Sequence, residues 1–388
     1  MSLKMIPTII VKYLIRMTFF MFSFLLPVNK NKITFASYRS ESLEGNLLYL
    51  YSELKSRDDK YQTVFLFKKY NSSIYGKLDY VLHMLKASYL LATSRYFIID
   101  DYYFPVYVIE PRKGTDIVQL WHAAGAFKKF GFSTVGKSFG PSKDYLKHIE
   151  IHSNYTKVYV SSKNVIPHYA EAFDMEAGNI FPFGLPRTDF FFKAGVKEKM
   201  MKKFAHHFPH LLDKKLILYA PTFRGSSHYQ EAFDCPIDIS ALKAYAGEEY
   251  ALLIHLHPYM RSGLKIKDED QRFASQIHGE MTIEELLVIT DYLVTDYSSI
   301  IFDYSLLKRP IAFFVPDLEE YINERDFYYD FDDFIPGPKF TDTAALAKWV
   351  KQESHDLDRV ANFSEYFFEY LDGKASERIV SHLLSRSN

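Results

Sequence analysis

Two histidines stand where short apolar runs stop. In TDIVQLWHAAGAFKKFG, Thr115 to Gly131, a strand-like stretch ends in Trp121-His122, passes through Ala123-Ala124-Gly125 and turns basic. His122 is either a satisfied core histidine at a strand end or a reactive imidazole looking into a cleft. In YALLIHLHPY the alternation of a strand puts His255 and His257 on one face and Leu256 on the other. Pro258 then leaves His257 at the carboxyl end. An imidazole titrates near neutrality, which suits an acid, a base or a phosphate donor. Packing of both rings at the strand end accounts for the pair as well. A metal site would need a third ligand, and none follows at a recognisable spacing.

Three further stretches carry groups that bind anions. KKLILYAPTFRG places Arg224 in the loop after a strand, where a guanidinium can hold phosphate oxygens through two parallel hydrogen bonds. YLVTDYSSIIFDY ends a strand at Thr295-Asp296 and offers Ser298 or Ser299 as the N-cap of the next helix. Free backbone N–H groups at such a start attract anions, and Asp303 lies within the first two turns. FPFGLPRTDFFF sets Gly184, Pro186 and Arg187 in a turn before a helix. Each stretch has an ordinary structural explanation as a turn, a cap or a surface arginine. Together they put two His, two Arg and a hydroxyl-rich helix start at strand ends, which points to an anionic ligand.

The elements that must position these groups are short β-rich runs alternating with helix-length segments. One set of strands begins at Lys32, Gln62, Tyr96, Asp116 and Lys157, and a second at Lys214, Tyr250, Tyr292 and Pro310. Near-continuous apolar strands joined by helices indicate parallel sheets covered on both faces. The 388 residues exceed one ordinary core. The expected organisation is a membrane-associating helix over 1–29 and two Rossmann-like domains over 30–205 and 206–388. Ligands in such sheets bind outside the carboxyl ends of the strands. No internal repeat and no low-complexity linker interrupts the pattern.

Composition narrows the function further. The net charge of −1 conceals a basic beginning, with Lys4, Lys12, Arg16, Lys30, Lys32 and Arg39 unopposed by any acid in the first forty residues. The longest charge-free run there, Met17 to Val28, is short of the roughly 20 residues that span a bilayer. Lys12 and Arg16 form a narrow polar stripe with Thr8 on an otherwise apolar helix. That arrangement favours an in-plane helix attracted to anionic lipid over a signal peptide, a tilted span or a buried core helix. No A-x-A cleavage site follows. A second basic stretch runs from Arg112 to Lys147 and suits an acceptor bearing its own diphosphate, though a solvated loop would read the same. A single cysteine, Cys235, excludes an intrachain disulfide framework. Nothing resembles a nucleic-acid-binding signature.

The ordered set QLWHAAGAFKKFG, GLPRTD, LYAPTFRG, HLHPY and VTDYSSIIFDY resembles the CDP-glycerol/CDP-ribitol polyol-phosphate transferases that build teichoic acids in Gram-positive bacteria. The resemblance covers roughly residues 30–385. It implies a GT-B fold, two Rossmann-like domains facing a central cleft, with a peripheral attachment at the cytoplasmic face of the membrane. It also implies CDP-glycerol or CDP-ribitol as donor, an undecaprenyl-diphosphate-linked acceptor and release of CMP. By position, His122 and His257 match the family's two essential histidines, and Arg187, Arg224, Ser298, Ser299 and Asp303 match donor-binding positions. Asp296 accompanies them at the strand end. His122 is taken as the base and His257 as the donor or acid at the pyrophosphate, an assignment that sequence leaves exchangeable. No metal cluster is recognisable in these motifs, so neither a metal nor a cofactor is expected. The chain departs from the frequent W-H-G-T-P pattern, reading Trp121-His122-Ala123-Ala124-Gly125, which bears on the loop and the acceptor. A nucleotide-sugar transferase of the same fold is the second reading and a non-catalytic membrane scaffold the third. The polyol and the number of units added are not legible, although a near-minimal two-domain body favours a primer or short-chain enzyme.

Overall fold

The computed structural model describes residues 5–57, 60–71, 73–223, 234–256 and 264–385. Arg224 and His257 lie outside the described residues. The chain divides into two compact units. The first comprises Met1–Asp189 with Glu324–Tyr328 and Phe368–Asn388; the second comprises Phe190–Asn323 with Tyr329–Phe367.

The first unit opens with α1 (Ile6–Leu25), whose Pro7 lies in the first turn, where a missing N–H costs nothing. Six strands follow: β1 (Asn29–Ser37), β2 (Gln62–Phe67), β3 (Ser94–Ile99), β4 (Asp116–Gln119), β5 (Lys157–Tyr159) and β6 (Ile180–Phe181). They pair in parallel in the order β2-β1-β3-β4-β5-β6. Strand order reverses between β1 and β3, and a crevice opens beyond their carboxyl ends at such a reversal. α2 (Gly45–Arg57) covers one face with Leu47, Leu50 and Leu54 against Ile33, Phe35, Tyr96 and Ile98. The final helix, Ala375–Ser385, joins the same core through Ile379, Val380 and Leu383. α3 (Ile74–Thr93) is capped by Ser73, whose hydroxyl accepts from the Gly76 amide at 3.0 Å. It packs on α1, with Phe22 set edge-on to Tyr89 at 5.0 Å.

The second unit repeats the plan. β7 (Lys215–Tyr219), β8 (Tyr250–Ile254), β9 (Ala274–Gln276), β10 (Tyr292–Thr295), β11 (Ile311–Phe314) and β12 (Lys339–Phe340) form a parallel sheet in the order β12-β11-β10-β7-β8-β9. Every residue of β8, β10 and β11 is buried, as sheets covered on both faces require. The reversal here falls between β7 and β10. Leu242, Ala246, Leu346 and Trp349 from two helices close one face of the core.

Candidate functional site

At the reversal of the first sheet three side chains meet. β1 leads to Arg39, β3 to Asp101 and β4 to His122. His122 Nδ1 lies 3.0 Å from Asp101 Oδ2, with the histidine side chain 43% exposed and the carboxylate 3%. Arg39 Nη1 donates to the same oxygen, and the Tyr102 amide donates to Oδ1 at 2.6 Å. Burial alone would raise this carboxyl. His122, Arg39 and the Tyr102 amide outweigh it and hold the acid down to about 2. A permanent carboxylate at Nδ1 fixes the tautomer that carries its proton there and leaves Nε2 with a free lone pair. Its neighbour Asp100 behaves oppositely. Burial and the Asp101 charge push it up to about 7, against the lowering influence of Ser37 and Arg39, and its Oδ1 is buried without a hydrogen-bond partner.

The loop carrying His122 is bound from several sides. Trp121 has φ +54°, in the left-handed region that costs a non-glycine residue roughly 1–2 kcal/mol. Gln119, fully buried, accepts from the Trp121 amide at 2.8 Å and donates to the Asp101 carbonyl at 3.0 Å, tying the two strand ends. Asn46, at the start of α2, donates to the Trp121 carbonyl at 2.7 Å and accepts from the Arg187 amide at 3.0 Å. Tyr169 donates its hydroxyl to the carbonyls of Ala123 and Gly125, each at 3.1 Å. These bonds hold the strained turn that aims His122 outward.

Arg187 belongs to the same assembly. It lies in the 3₁₀ helix Pro186–Phe192, and Nη2 donates to the His122 carbonyl at 3.2 Å. Gly184 before it has φ +96°, and a Cβ there would come within 2.7 Å of the Ala375 Cβ. Asp189 caps the last helix, accepting from the amides of Ala375 and Ser376 at 2.8 and 2.9 Å.

In the second unit Asp296, Ser298, Ser299 and Asp303 follow β10 at the β7/β10 reversal. Asp296 is 2% exposed. Its carboxylate accepts from the Thr222 amide at 2.8 Å, the Thr222 hydroxyl at 2.6 Å and the Tyr297 amide at 2.5 Å. It thereby fixes the chain at Thr222, just after β7. Ser299 occupies the N-cap of the helix Ile300–Ser305 without a side-chain capping bond, and it is exposed. Ser298 Oγ accepts from the Ile300 amide at 3.4 Å. Asp303 is 4% exposed on that helix. His255 continues the β8 ladder, its amide donating to the Tyr219 carbonyl at 3.0 Å, and burial lowers its imidazole against a raising influence from Glu284. Among the described residues no group of three or more His, Cys, Asp or Glu could hold a metal ion.

Asp101, Arg39 and Asn46 were not expected from the sequence. The acid pair closing SRYFIIDD was the available signal, because a carboxylate just past a strand at a sheet reversal is well placed to orient a neighbouring strand's histidine.

The two parallel-sheet α/β domains define a GT-B protein. The wall teichoic acid polymerase TagF superposes with a TM-score of 0.75 at 23% identity, covering 93% of this chain and 90% of that one. Residues 18–385 match the CDP-glycerol:poly(glycerophosphate) glycerophosphotransferase family, and the chain belongs to it. It is thus an enzyme of the teichoic acid polyol-phosphate transferases. A teichoic acid ribitol-phosphate primase of Bacillus spizizenii is 44% identical over 385 residues, 99% of this chain and 98% of that protein. A teichoic acid poly(glycerol phosphate) polymerase of the same organism is 31% identical over 373 residues, 93% of each chain.

Proposed function

We propose that the protein transfers ribitol phosphate from CDP-ribitol to a hydroxyl of a lipid-linked teichoic acid precursor, releasing CMP. The observation that carries the reaction is the Asp101–His122 pair, a held imidazole whose second nitrogen is available to a hydroxyl. His122 Nε2 takes the proton of the acceptor hydroxyl. The oxygen bonds to the β-phosphorus as the bond from that phosphorus to the bridging oxygen breaks, and CMP leaves with the electron pair. Asp101 stays ionised throughout and faces the imidazolium. Phosphoryl transfer asks mainly for alignment and charge stabilisation. Arg187, Arg224, Ser298, Ser299 and Asp303 are assigned to the donor, and His257 to a hydrogen bond or proton for the departing CMP. Asp296 is assigned a positioning role through its bonds to Thr222.

The donor choice rests on likeness. The relative aligned nearly end to end is named for ribitol phosphate, whereas one named for glycerol phosphate is less similar. CDP-glycerol, the first expectation from the motifs, is the second reading, carried by the family's own description. The same end-to-end alignment with a primase supports addition of a first unit or a few.

The membrane is the proposed site of action, at its cytoplasmic face. α1 exposes Ile10, Tyr13, Met17, Phe20 and Phe24, and α3, packed on it, exposes Ile74, Tyr75, Leu78 and Leu82. α3 also carries Lys77, Asp79 and Lys86, which a bilayer core would penalise. A pair of helices lying in the interface fits this better than a span by α1.

The test is CMP release from CDP-ribitol and CDP-glycerol in parallel, with EDTA present and a lipid-linked disaccharide bearing glycerol phosphate as acceptor. Release from CDP-ribitol at a kcat/KM at least tenfold above CDP-glycerol, lost in His122→Ala and His257→Ala, is the expected result. Silence of the folded enzyme with both donors overturns the reading in favour of a nucleotide-sugar transferase.

A further inference from the structure

The first unit contains a cavity of about 470 Å³ that none of the residues assigned above lines. Its walls include Tyr102, Phe130, Phe139 and Tyr145, with Lys129 and Thr134 among them. The volume falls within the roughly 300–1,000 Å³ of small-ligand sites. Two of the walls are continuous with the His122 assembly. Tyr102 follows Asp101 in the chain, and its ring lies 5.7 Å from the Trp121 indole. Phe130 stacks on the same indole, 5.1 Å from Trp121 at 25°. Trp121 in turn lies against the His122 ring at 4.7 Å. One indole therefore touches both the His122 ring and two of the cavity's walls.

The loop that shapes the cavity is built to keep one form. A Cβ at Gly131 would approach the Ala172 carbonyl oxygen to 2.1 Å, and one at Gly140 the Thr134 carbonyl oxygen to 1.9 Å. Positive charge gathers along it. Lys129 and Lys137 share a single carboxylate, Asp326, at 3.1 and 2.9 Å, and Arg325 lies over the Phe139 ring at 5.4 Å. Two lysines share the one Asp326 carboxylate, and a third cation, Arg325, rests on the Phe139 wall, so the cavity has a cationic rim. Aromatic faces take the apolar C–H face of a pyranose, phenolic and threonine hydroxyls exchange hydrogen bonds with its hydroxyls, and the cationic rim draws phosphate.

We infer that this cavity seats a phosphorylated saccharide, the sugar-phosphate portion of the acceptor that adjoins its reacting hydroxyl. The inference rests on the proposed phosphotransfer at His122 and adds the acceptor site to it. The Ala123-Ala124 sequence after His122 runs directly into this loop.

The test uses the full chain carrying Trp349→Phe, which leaves Trp121 as its one tryptophan. The probe is a soluble short-prenyl diphosphate disaccharide, titrated while Trp121 emission is followed; short-prenyl diphosphate alone and CMP serve as comparison arms. Saturable change with the saccharide probe is expected, at least tenfold weaker in Phe139→Ala and Lys129→Ala. In the CMP-release assay the same variants should raise the acceptor KM at least tenfold and leave the CDP-polyol KM within twofold. Tyr145→Phe, which keeps the ring and removes the hydroxyl, gives a smaller rise of the same kind. An equal response to prenyl diphosphate alone assigns the cavity to lipid, and a response to CMP assigns it to the donor; either overturns the inference. So does an unchanged acceptor KM in all three variants. If the native enzyme releases no CMP from either donor, the reading of the reaction fails, and the fluorescence titration still decides the cavity.

Discussion

At the scale of single residues, the two acids after β3 divide their labour by environment. Asp101 is a positioning residue for His122, and Asp101→Asn keeps its shape while removing the charge that faces the imidazolium. An amide can also hold the ring in the wrong tautomer. The expected loss is about 10²-fold or more in kcat with KM little changed. The acid limb of the kcat/KM profile should move to lower pH. A uniform loss with an unmoved profile would argue for a merely structural contact. The two carboxyls also leave opposite marks on stability. Asp101, held down to about 2, favours the fold above the unfolded carboxyl range and loses that contribution as pH falls toward 2. Asp100, pushed up to about 7, binds its proton more tightly in the folded state, so stability falls as pH rises from about 4 through 7. Asp100→Asn should remove that slope, and urea midpoints at pH 5 and pH 8 measure it. Sequence reading found His122 because a histidine at a strand end is a local pattern. It passed over Asp101 and Arg39 because their significance is a juxtaposition of three strand ends that are distant in the chain.

Among the elements, strands carrying an apolar run were legible and those without one were not. The nine expected strands are present, each an apolar-rich run; β8, β10 and β11 are buried throughout, whereas the edge strand β2 is only partly buried. β6, β9 and β12 have two or three residues each, and all three are edge strands without an apolar run to mark them. The serine-rich start at Ser298-Ser299 was read correctly as the helix entrance, since Ser299 is the N-cap. α1 was legible from composition alone, whereas the apolar stripe of α3 was hidden among its lysines and an aspartate. That stripe yields the prediction for this scale. Leu78→Glu with Leu82→Glu replaces side chains that are 61% and 65% exposed, so the fold and its thermal midpoint should be preserved. Flotation with vesicles containing anionic phospholipid should drop at least fivefold, as it should for Phe20→Glu with Phe24→Glu. Unchanged flotation of the α3 pair would leave α1 as the membrane contact.

For the whole molecule, the chain begins and ends in the same unit. The last helix lays Ile379, Val380 and Leu383 into the first core, Tyr96 donates to the Leu383 carbonyl at 2.5 Å, and Arg57 reaches Ser381 at 2.7 Å. Ending the chain after Asp372 should therefore unfold the first unit, though it is more than a hundred residues away in sequence from the second sheet's first strand. Rapid proteolysis of residues 29–181, with the second sheet still protected, is the expected pattern; equal resistance of both would sink it. Nine of the twelve strands, the two-sheet plan and the kinds of group at the strands' carboxyl ends follow from the chain alone, because burial of apolar runs and the chemistry of His, Arg and Ser are local properties. Which acid orients His122, how Asn46 joins it to Arg187, and the bond of Asp296 to Thr222 emerge only in the folded arrangement. Those pairings depend on strand order and on side chains brought within about 3 Å from far along the chain, a distance relation that no spacing in the sequence encodes.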